Sequence, residues 1–388
     1  MATRSYTRRA AIAQLLRAAG STAAGALVAG DLLQAVVSAA GQPGRGLGEY
    51  IEPFRQQFRV PAISVAVSTN GRFVYDHAGG MADAQHAMQA QRDSLFRIAD
   101  LSKPVTAVTI FSLIEDGKLR LTDKVFGPGG VLGNRYGNPP FKQYVADVTV
   151  DHLLTHTAGG WAADADDPML HHNGWDQTRL ITDTIANVPL TAPPGTQWIY
   201  SNFGYCVLGR VIEQVTGQSY ESYVQTRILA PCGISGMQIA HNSERQRASG
   251  EVIYVGQYSE DPYKINVSRM DSTAGWIASS TQLVQFLNHV AGAPGIPALL
   301  KPESIRVMTT PAPASPPGIG RYARGWMVSQ GGGSWWHNGS LPGSTSMMVR
   351  SAGSLCSAAL CNTRTQPHQE MDASLSQMMA NLAQAVSG

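Results

Sequence analysis

The chain places its predicted strands near its two ends and most of its predicted helices between them, and this order limits the folds open to it. Residues 61–83 predict a hairpin, because apolar residues alternate on both sides of the two-residue turn Asn70-Gly71. Further strands are predicted at 322–330, 334–338, 344–351 and 354–362. The simplest closure is an α/β fold of the α+β type, in which both chain ends form one antiparallel sheet of five or more strands, flanked by helices.

The middle of the chain predicts a mostly helical inserted region. Residues 102–117 carry apolar residues near a 3.6-residue spacing and stop at Gly117. Other helices are predicted at 149–156, 176–188, 203–228 (two helices, separated at Thr216-Gly217), 280–291, 302–309 and 368–386. We therefore expect a domain over 43–388, with a sheet lobe (about 43–100 and 310–388), a helical lobe (about 101–309) and a cleft between them.

The first 42 residues differ from the rest. Their four basic residues precede the first acid, Asp31, and the pair Arg8-Arg9 is followed by an Ala/Leu-rich stretch and by small residues at Val37 and Ala39. This pattern is typical of a twin-arginine export signal with a linker, and it predicts an exported, periplasmic or secreted protein. A basic amphipathic helix or an unstructured N-terminus is the alternative. No later stretch reaches the ~18 consecutive apolar residues of a stable membrane span.

Composition excludes several functional classes. Lys and Arg number 29 against 27 Asp and Glu, which is too balanced for a dedicated nucleic-acid binder. Four Cys in 388 residues do not make a disulfide scaffold. The chain has no phosphate-binding loop, dinucleotide fingerprint or zinc-ligand cluster, so neither a cofactor nor a metal is predicted. The run ADADDPMLHH (163–172) fits no metal-site spacing and is interpreted as a solvated loop near the cleft.

Four short segments carry the chemistry. They are FRIADLSKPVTAV (96–108), LLTHTAGG (153–160), the stretch around Tyr200-Ser201-Asn202, and WWHNGSLPGSTSMM (335–348). In order, spacing and flanking residues they resemble the serine β-lactamase and penicillin-binding-protein superfamily, most closely its class C, esterase and D-aminopeptidase branch. The resemblance spans roughly residues 45–385. It implies a β-lactamase/transpeptidase-like fold and a small-molecule or peptide-like substrate, such as an ester, amide or β-lactam.

The resemblance assigns the catalytic positions. Family members begin a buried helix with Ser-x-x-Lys, in which the lysine helps to deprotonate the attacking serine. Here the tetrad is Asp100-Leu101-Ser102-Lys103, so Lys103 matches the family lysine and Asp100 holds the nucleophile position. Ser102 is no easy substitute, because on a helix it lies about 200 degrees around from residue 100.

The other two motifs complete the implied site. Tyr200 is expected to accept and donate a proton, with its pKa lowered by the nearby lysine, and Asn202 to hydrogen-bond the substrate amide or Lys103. His337-Asn338-Gly339 matches the family's edge-strand motif, in which Gly339 lets substrate lie close to the strand. The implied oxyanion hole consists of the N–H groups of Asp100 and Ser340.

Two tryptophans, Trp161 and Trp336, are candidate pocket walls, and His156 is expected to be structural.

The aspartate changes the expected chemistry. A carboxylate that attacks an ester or amide forms a mixed anhydride, which is uphill, and its charge opposes the oxyanion. Asp100 and Lys103 are three residues apart and should form an ion pair, so standard acyl-enzyme hydrolysis should be lost or severely reduced.

Three interpretations remain open. The chain is an inactivated member of the hydrolase family that keeps a pocket for a carboxylate- or amide-bearing ligand. Alternatively, Asp100 is a general base, or a nucleophile toward an acetal-type carbon. In the third interpretation the protein is a non-catalytic binding module.

Overall fold

A computed structural model describes residues 46–318 and 320–387. The predicted export segment, residues 1–42, lies outside the described residues.

An eight-stranded sheet dominates the described structure, and it is formed from both ends of the chain as predicted. Its spatial order is β3-β2-β1-β11-β10-β9-β8-β7, with every neighbouring pair antiparallel. The two ends meet where β1 pairs with β11, with Val65 opposite Ala359. The strands are β1 Ala62–Thr69, β2 Arg72–Asp83, β3 Met88–Gln89, β7 Gly320–Tyr322, β8 Met327–Ser329, β9 Trp335–Leu341, β10 Ser344–Ser351 and β11 Leu355–Cys361.

The predicted hairpin is present, and its turn has the expected chemistry. Asn70 and Gly71 both adopt positive φ angles, 51° and 78°. A two-residue turn with both central residues in this region matches the twist of the strands it joins, which is why Asn-Gly is favoured there.

The single strand predicted at 322–330 is wrong, because the chain reverses within it. β7 ends at Tyr322 and β8 begins at Met327, and the N–H of Ala323 donates to the carbonyl of Trp326 at 2.7 Å across the turn. Gly325 makes the turn possible, since its φ is +83° and a side chain there would collide with Ala107.

Helices cover both faces of the sheet. Helix α1, which the sequence pattern did not predict, packs with the final helix on one face and buries Phe54 and Leu375 there. On the other face lies α8, Ser280–Ala291, and the hydroxyls of Ser64 on β1 and of Ser280 form a hydrogen bond of 2.7 Å. The helices are α1 Gly48–Gln57, α2 Ser102–Glu115, α3 Val150–Leu154, α4 Gln177–Asn187, α5 Asn202–Thr216, α6 Tyr220–Val224, α7 Asp271–Ala274, α8 Ser280–Ala291, α9 Pro302–Met308 and α10 Gln369–Ser387.

A small second sheet, also not predicted, anchors the segment that leads into α2. Its strands are β4 Phe96–Arg97, β5 Gln238–Ile239 and β6 Trp276–Ala278, in the order β4-β6-β5. In the described part of the chain, no helix combines the length and apolar character that crossing a membrane requires.

Candidate functional site

The candidate nucleophile position lies on a strained turn pressed against the large sheet. Asp100 belongs to a 3₁₀ turn, Ala99–Leu101, which runs directly into α2. Ala99 has a φ of +48°, an unfavourable angle for a residue with a Cβ. The hydroxyl of Ser346 on β10 donates to the carbonyl of Ile98 at 2.7 Å and helps to hold the turn. Such over-determined strain is typical of functional positions.

Gly339 allows this turn to touch β9. A Cβ built at Gly339 would lie 2.8 Å from both the backbone nitrogen of Asp100 and the carbonyl oxygen of Ile98. Real Cβ atoms do not approach backbone so closely. The glycine therefore serves the close packing of the turn on the strand, in addition to the substrate access expected from sequence.

Lys103, one turn into α2, is completely buried. Its ammonium forms an ion pair with Asp100, donates to Oδ1 of Asn202 at 2.7 Å and lies 3.4 Å from the carbonyl oxygen of Thr273. Burial lowers the pKa of Lys103, and the Asp100 carboxylate opposes that shift. Ser102 faces elsewhere, since its hydroxyl donates to the carbonyl of Ala99 at 2.8 Å.

The Asp100 carboxylate uses both oxygens within the site. Oδ1 accepts from Lys103 and, at 3.1 Å, from the hydroxyl of Tyr200, while Oδ2 accepts from the N–H of Ser340 at 3.3 Å. Burial would raise the pKa of this carboxyl, but the Lys103 charge and the hydrogen bonds outweigh burial, and the net shift is downward. Asp100 is therefore ionised, and it engages one of the two N–H groups expected to form the oxyanion hole.

The expectation that Lys103 lowers the pKa of Tyr200 is wrong. Burial and the charge of Asp100 raise the pKa of Tyr200 well above its ordinary value. The Lys103 nitrogen does lie 4.9 Å from the centre of the Tyr200 ring. The charge of Lys103 is compensated by Asp100, however, and the nearby carboxylate disfavours the ionised form of the Tyr200 phenol.

Asn202 joins the site through the start of α5. The hydroxyl of Ser201 accepts from the N–H of Gly204 at 3.0 Å and caps the helix, which places Asn202 at its first residue. Besides accepting from Lys103, the Asn202 amide donates from Nδ2 to Oδ2 of Asp167 at 2.7 Å.

Asp167 was predicted to lie in a solvated loop, and that prediction is wrong. The residue is 1% exposed, although Asp164 and Asp166 beside it are exposed. Burial raises its pKa to about 6.

A cluster of rings backs the tyrosine. His156 packs 4.1 Å from the ring of Tyr200 and 4.5 Å from that of Tyr322, centre to centre. Its Nδ1 accepts from the N–H of Ser201 at 3.1 Å, which fixes the ring behind the tyrosine. The hydroxyl of Tyr322 reaches Nε2 of His337 at 3.2 Å. Burial and the Lys103 charge lower the pKa of His337 to about 4, and this imidazole is neutral near pH 7.

Comparison with known proteins places this arrangement in a family. The family model described as Beta-lactamase matches residues 47–377, which is most of the chain. The chain belongs to the β-lactamase family. Among its relatives, penicillin-binding protein 4* of Bacillus subtilis (strain 168) is 27% identical over 322 residues, covering 74% of this chain and 64% of that protein. Esterase EstB of Burkholderia gladioli is 31% identical over 198 residues, covering 47% and 48%. The chain thus spans about half to two thirds of the length of these curated relatives.

Solved structures of other proteins share the fold. D-amino acid amidase from Ochrobactrum anthropi SV3, complexed with L-phenylalanine, superposes with a TM-score of 0.71 at 21% identity, covering 88% of this chain and 98% of that one. At this identity the likeness establishes the architecture of the β-lactamase-like sheet and helices only.

Not every predicted residue lies at this site. Trp336 is 0% exposed and packs with residues of α1 and α10, on the face of β9 opposite His337 and Gly339. Trp161 lies in the core, against Phe126 and Phe203. Asn338, half-buried, contributes its carbonyl oxygen, which lies 2.6 Å from Nδ1 of His337.

Two residues at the site were missed by sequence reasoning, Asp167 and Tyr322. Asp167 follows the THTAGG segment by only a few residues, but nothing local distinguishes it from Asp164 and Asp166. Within residues 46–318 and 320–387, no group of three or more His, Cys, Asp or Glu side chains could hold a metal ion.

Proposed function

We propose that this chain binds an ester, amide or β-lactam-type small molecule in the cleft beside Asp100, but that standard acyl-enzyme hydrolysis is lost or severely reduced. The observation that carries the proposal is the engagement of Asp100, whose carboxylate contacts Lys103, Tyr200 and the N–H of Ser340 at the same time.

Each step of acyl transfer is opposed by these contacts. Proton removal needs a free base, yet Lys103 is held as the partner of an ionised carboxylate. The tetrahedral oxyanion needs the N–H of Ser340, which already donates to Asp100, and the carboxylate would repel a second anion there. Attack by the carboxylate itself would give a mixed anhydride that is more reactive than the ester consumed.

Asp100 should impair the binding of a ligand less than it impairs catalysis. β8 pairs with β9 only at Trp335 and Trp336, so in the described residues the stretch 337–341 has no strand partner on that side. An edge without a strand partner can offer backbone groups to an extended, amide-bearing ligand, although here the N–H of Ser340 already donates to Asp100. Relatives named as an esterase and an amidase support ester or amide chemistry for that ligand.

Hydrolysis by substituted proteins tests the proposal. Asp100→Ser should hydrolyse p-nitrophenyl acetate or a chromogenic cephalosporin at least about 100-fold faster than the parent, since a nucleophile contributes that much or more. Asp100→Asn, which also removes the charge but supplies no hydroxyl, is the matched control and should stay inactive.

The opposite pattern supports the alternative. If the parent hydrolyses one of these compounds and Asp100→Ser is slower, then Asp100 has chemistry of its own, as a general base or a nucleophile. If neither protein hydrolyses them, isothermal titration with the same compounds decides whether the chain binds them, and an absence of binding would refute the proposal.

Export is proposed separately, on the twin-arginine pair alone. Replacing both Arg8 and Arg9 with Lys should keep the protein inside expressing bacterial cells, as measured by fractionation. Unchanged fractionation would exclude a twin-arginine route.

A further inference from the structure

Asp167 stands out because it is a buried carboxylate with partners from distant parts of the chain. Its Oδ2 accepts from Nδ2 of Asn202 at 2.7 Å, and its Oδ1 accepts from the N–H of Met169 at 2.9 Å. The buried guanidinium of Arg269 fixes the same segment, since it donates to four backbone carbonyls, those of Met169, His171, His172 and Trp175. The carboxylate is therefore held in place from two sides.

The hydrogen bonds run in one direction from Lys103 to Asp167. An ammonium can only donate, and an ionised carboxylate can only accept. The Asn202 amide lies between them, with its oxygen toward Lys103 and its nitrogen toward Asp167. A rotated amide would set its N–H groups against the ammonium and its oxygen against the carboxylate, which is unfavourable at both ends.

We infer that Asp167 is a positioning residue of the site, which fixes the amide of Asn202 in the orientation that presents an oxygen to Lys103. The inference deepens the proposed function and rests on it, because it takes Lys103 and Asn202 as site residues. Asp167 reaches Lys103 only through Asn202 and is not assigned a contact with ligand.

The charge of Asp167 has a second consequence at Lys103. The ionisable groups that face this ammonium are Asp100, Tyr200, Tyr205, His156 and His337, with Asp167 behind Asn202. Both histidines are neutral near pH 7 because burial lowers their pKa values, and both tyrosines are neutral because burial raises theirs. Asp100 and Asp167 are therefore the two anions that keep Lys103 protonated.

A titration of Lys103 tests the inference in the parent protein, whether or not it hydrolyses anything. The chain has six lysines, so their Cε signals can be followed by ¹³C NMR, with Lys103→Arg to assign the buried one. Asp167→Asn keeps the shape of the side chain and removes its charge, and should lower the pKa of Lys103 by about one unit. Asp166→Asn, at the exposed neighbour, is the matched control and should leave that pKa unchanged.

The orientation of the Asn202 amide is tested by removing the carboxylate of Asp167 that accepts from it. In Asp167→Ala the side-chain NH₂ protons of Asn202 should exchange with water at least about 10-fold faster than in the parent, as measured by ¹H–¹⁵N NMR. In the Asp100→Ser background, Asp167→Asn should lower kcat about 10-fold or more with little change in KM.

The outcomes separate this inference from the proposed function. An unchanged Lys103 pKa in a folded Asp167→Asn protein would overturn the positioning role. An inactive Asp100→Ser protein counts against the proposed function, while the Lys103 titration still decides the role of Asp167. Should Asp167→Ala fail to fold, the exchange of the Asn202 protons is measured in Asp167→Asn, whose single side-chain oxygen cannot serve both Asn202 and the N–H of Met169, and unchanged exchange there would overturn the positioning role.

Discussion

Replacing Asp100 with Asn should reveal how strongly the ion pair with Lys103 stabilises the fold. The substitution keeps the size of the side chain but removes the charge opposite an ammonium that is 0% exposed. Removing one partner of a buried pair costs about 3–5 kcal/mol, since the other charge is left uncompensated. Lys103 would retain Asn202 and the carbonyl of Thr273 as neutral acceptors. We therefore expect the lower end of that range, about 3 kcal/mol, at pH 6.

The pH dependence of this loss follows from the pKa of Lys103. Burial already lowers that pKa below its ordinary value, and losing Asp100 lowers it further. A lysine with a depressed pKa in the native state binds fewer protons than it does in the unfolded chain, so stability rises with pH through the interval between the two pKa values. The deficit of Asp100→Asn should therefore shrink between pH 6 and pH 10.

Urea denaturation followed by tryptophan fluorescence at pH 6, 8 and 10 measures both effects. The control is Glu303→Gln, because Glu303 and Arg306 form an ion pair with the same three-residue spacing but are mostly exposed. That substitution should cause no measurable change. A deficit below about 1 kcal/mol at pH 6, or one that is constant with pH, would refute the view that Asp100 compensates a buried charge.

Other features give three further expectations. The pKa of Asp167 is raised to about 6 from 3.8, so its ionisation in the native state costs the parent stability as pH rises from 4 to 6. The free energy of unfolding of Asp167→Asn, measured by urea denaturation, should therefore rise relative to that of the parent by about 2 kcal/mol across that interval. Gly339→Ala should destabilise by about 1–3 kcal/mol because its Cβ meets backbone, whereas Gly174→Ala, in open space, should not. All four cysteines are buried and unpaired, so Ellman's reagent should modify none before unfolding and four after it; rapid labelling of the native protein would contradict the structure.

The sheet could be predicted from sequence because its signals are local. Alternation and an Asn-Gly turn specify the first hairpin, and the strands predicted at 334–338, 344–351 and 354–362 correspond to β9, β10 and β11. The single strand predicted at 322–330 was wrong because the tight turn at Gly325, which separates β7 from β8, was not recognised in the sequence.

Within the site, sequence spacing predicted the contact of Asp100 with Lys103, and the resemblance predicted the distant contact of Asn202 with Lys103. Neither predicted the burial of Asp167. The pairing of Asp100 with Lys103 follows from a separation of three residues. The burial of Asp167 depends on Asn202, 35 residues away, and on the segment clamped by Arg269. The position of Trp336 was available from sequence, since strict alternation along β9 sets it on the opposite face from His337.

The resemblance assigns three hydrogen-bond donors to the activation of a serine and the binding of its oxyanion, and the same three donors bind the carboxylate of Asp100. Lys103, Tyr200 and the N–H of Ser340 would serve proton removal and oxyanion binding, and here all three donate to one carboxylate. The stability of the site and the proposed loss of hydrolysis would thus have a common cause. Asp100→Ser removes that acceptor and leaves Lys103 without its partner, so it should lower the free energy of unfolding while it raises esterase activity. A serine variant that is both more active and at least as stable in urea denaturation would show that Asp100 contributes nothing to the fold.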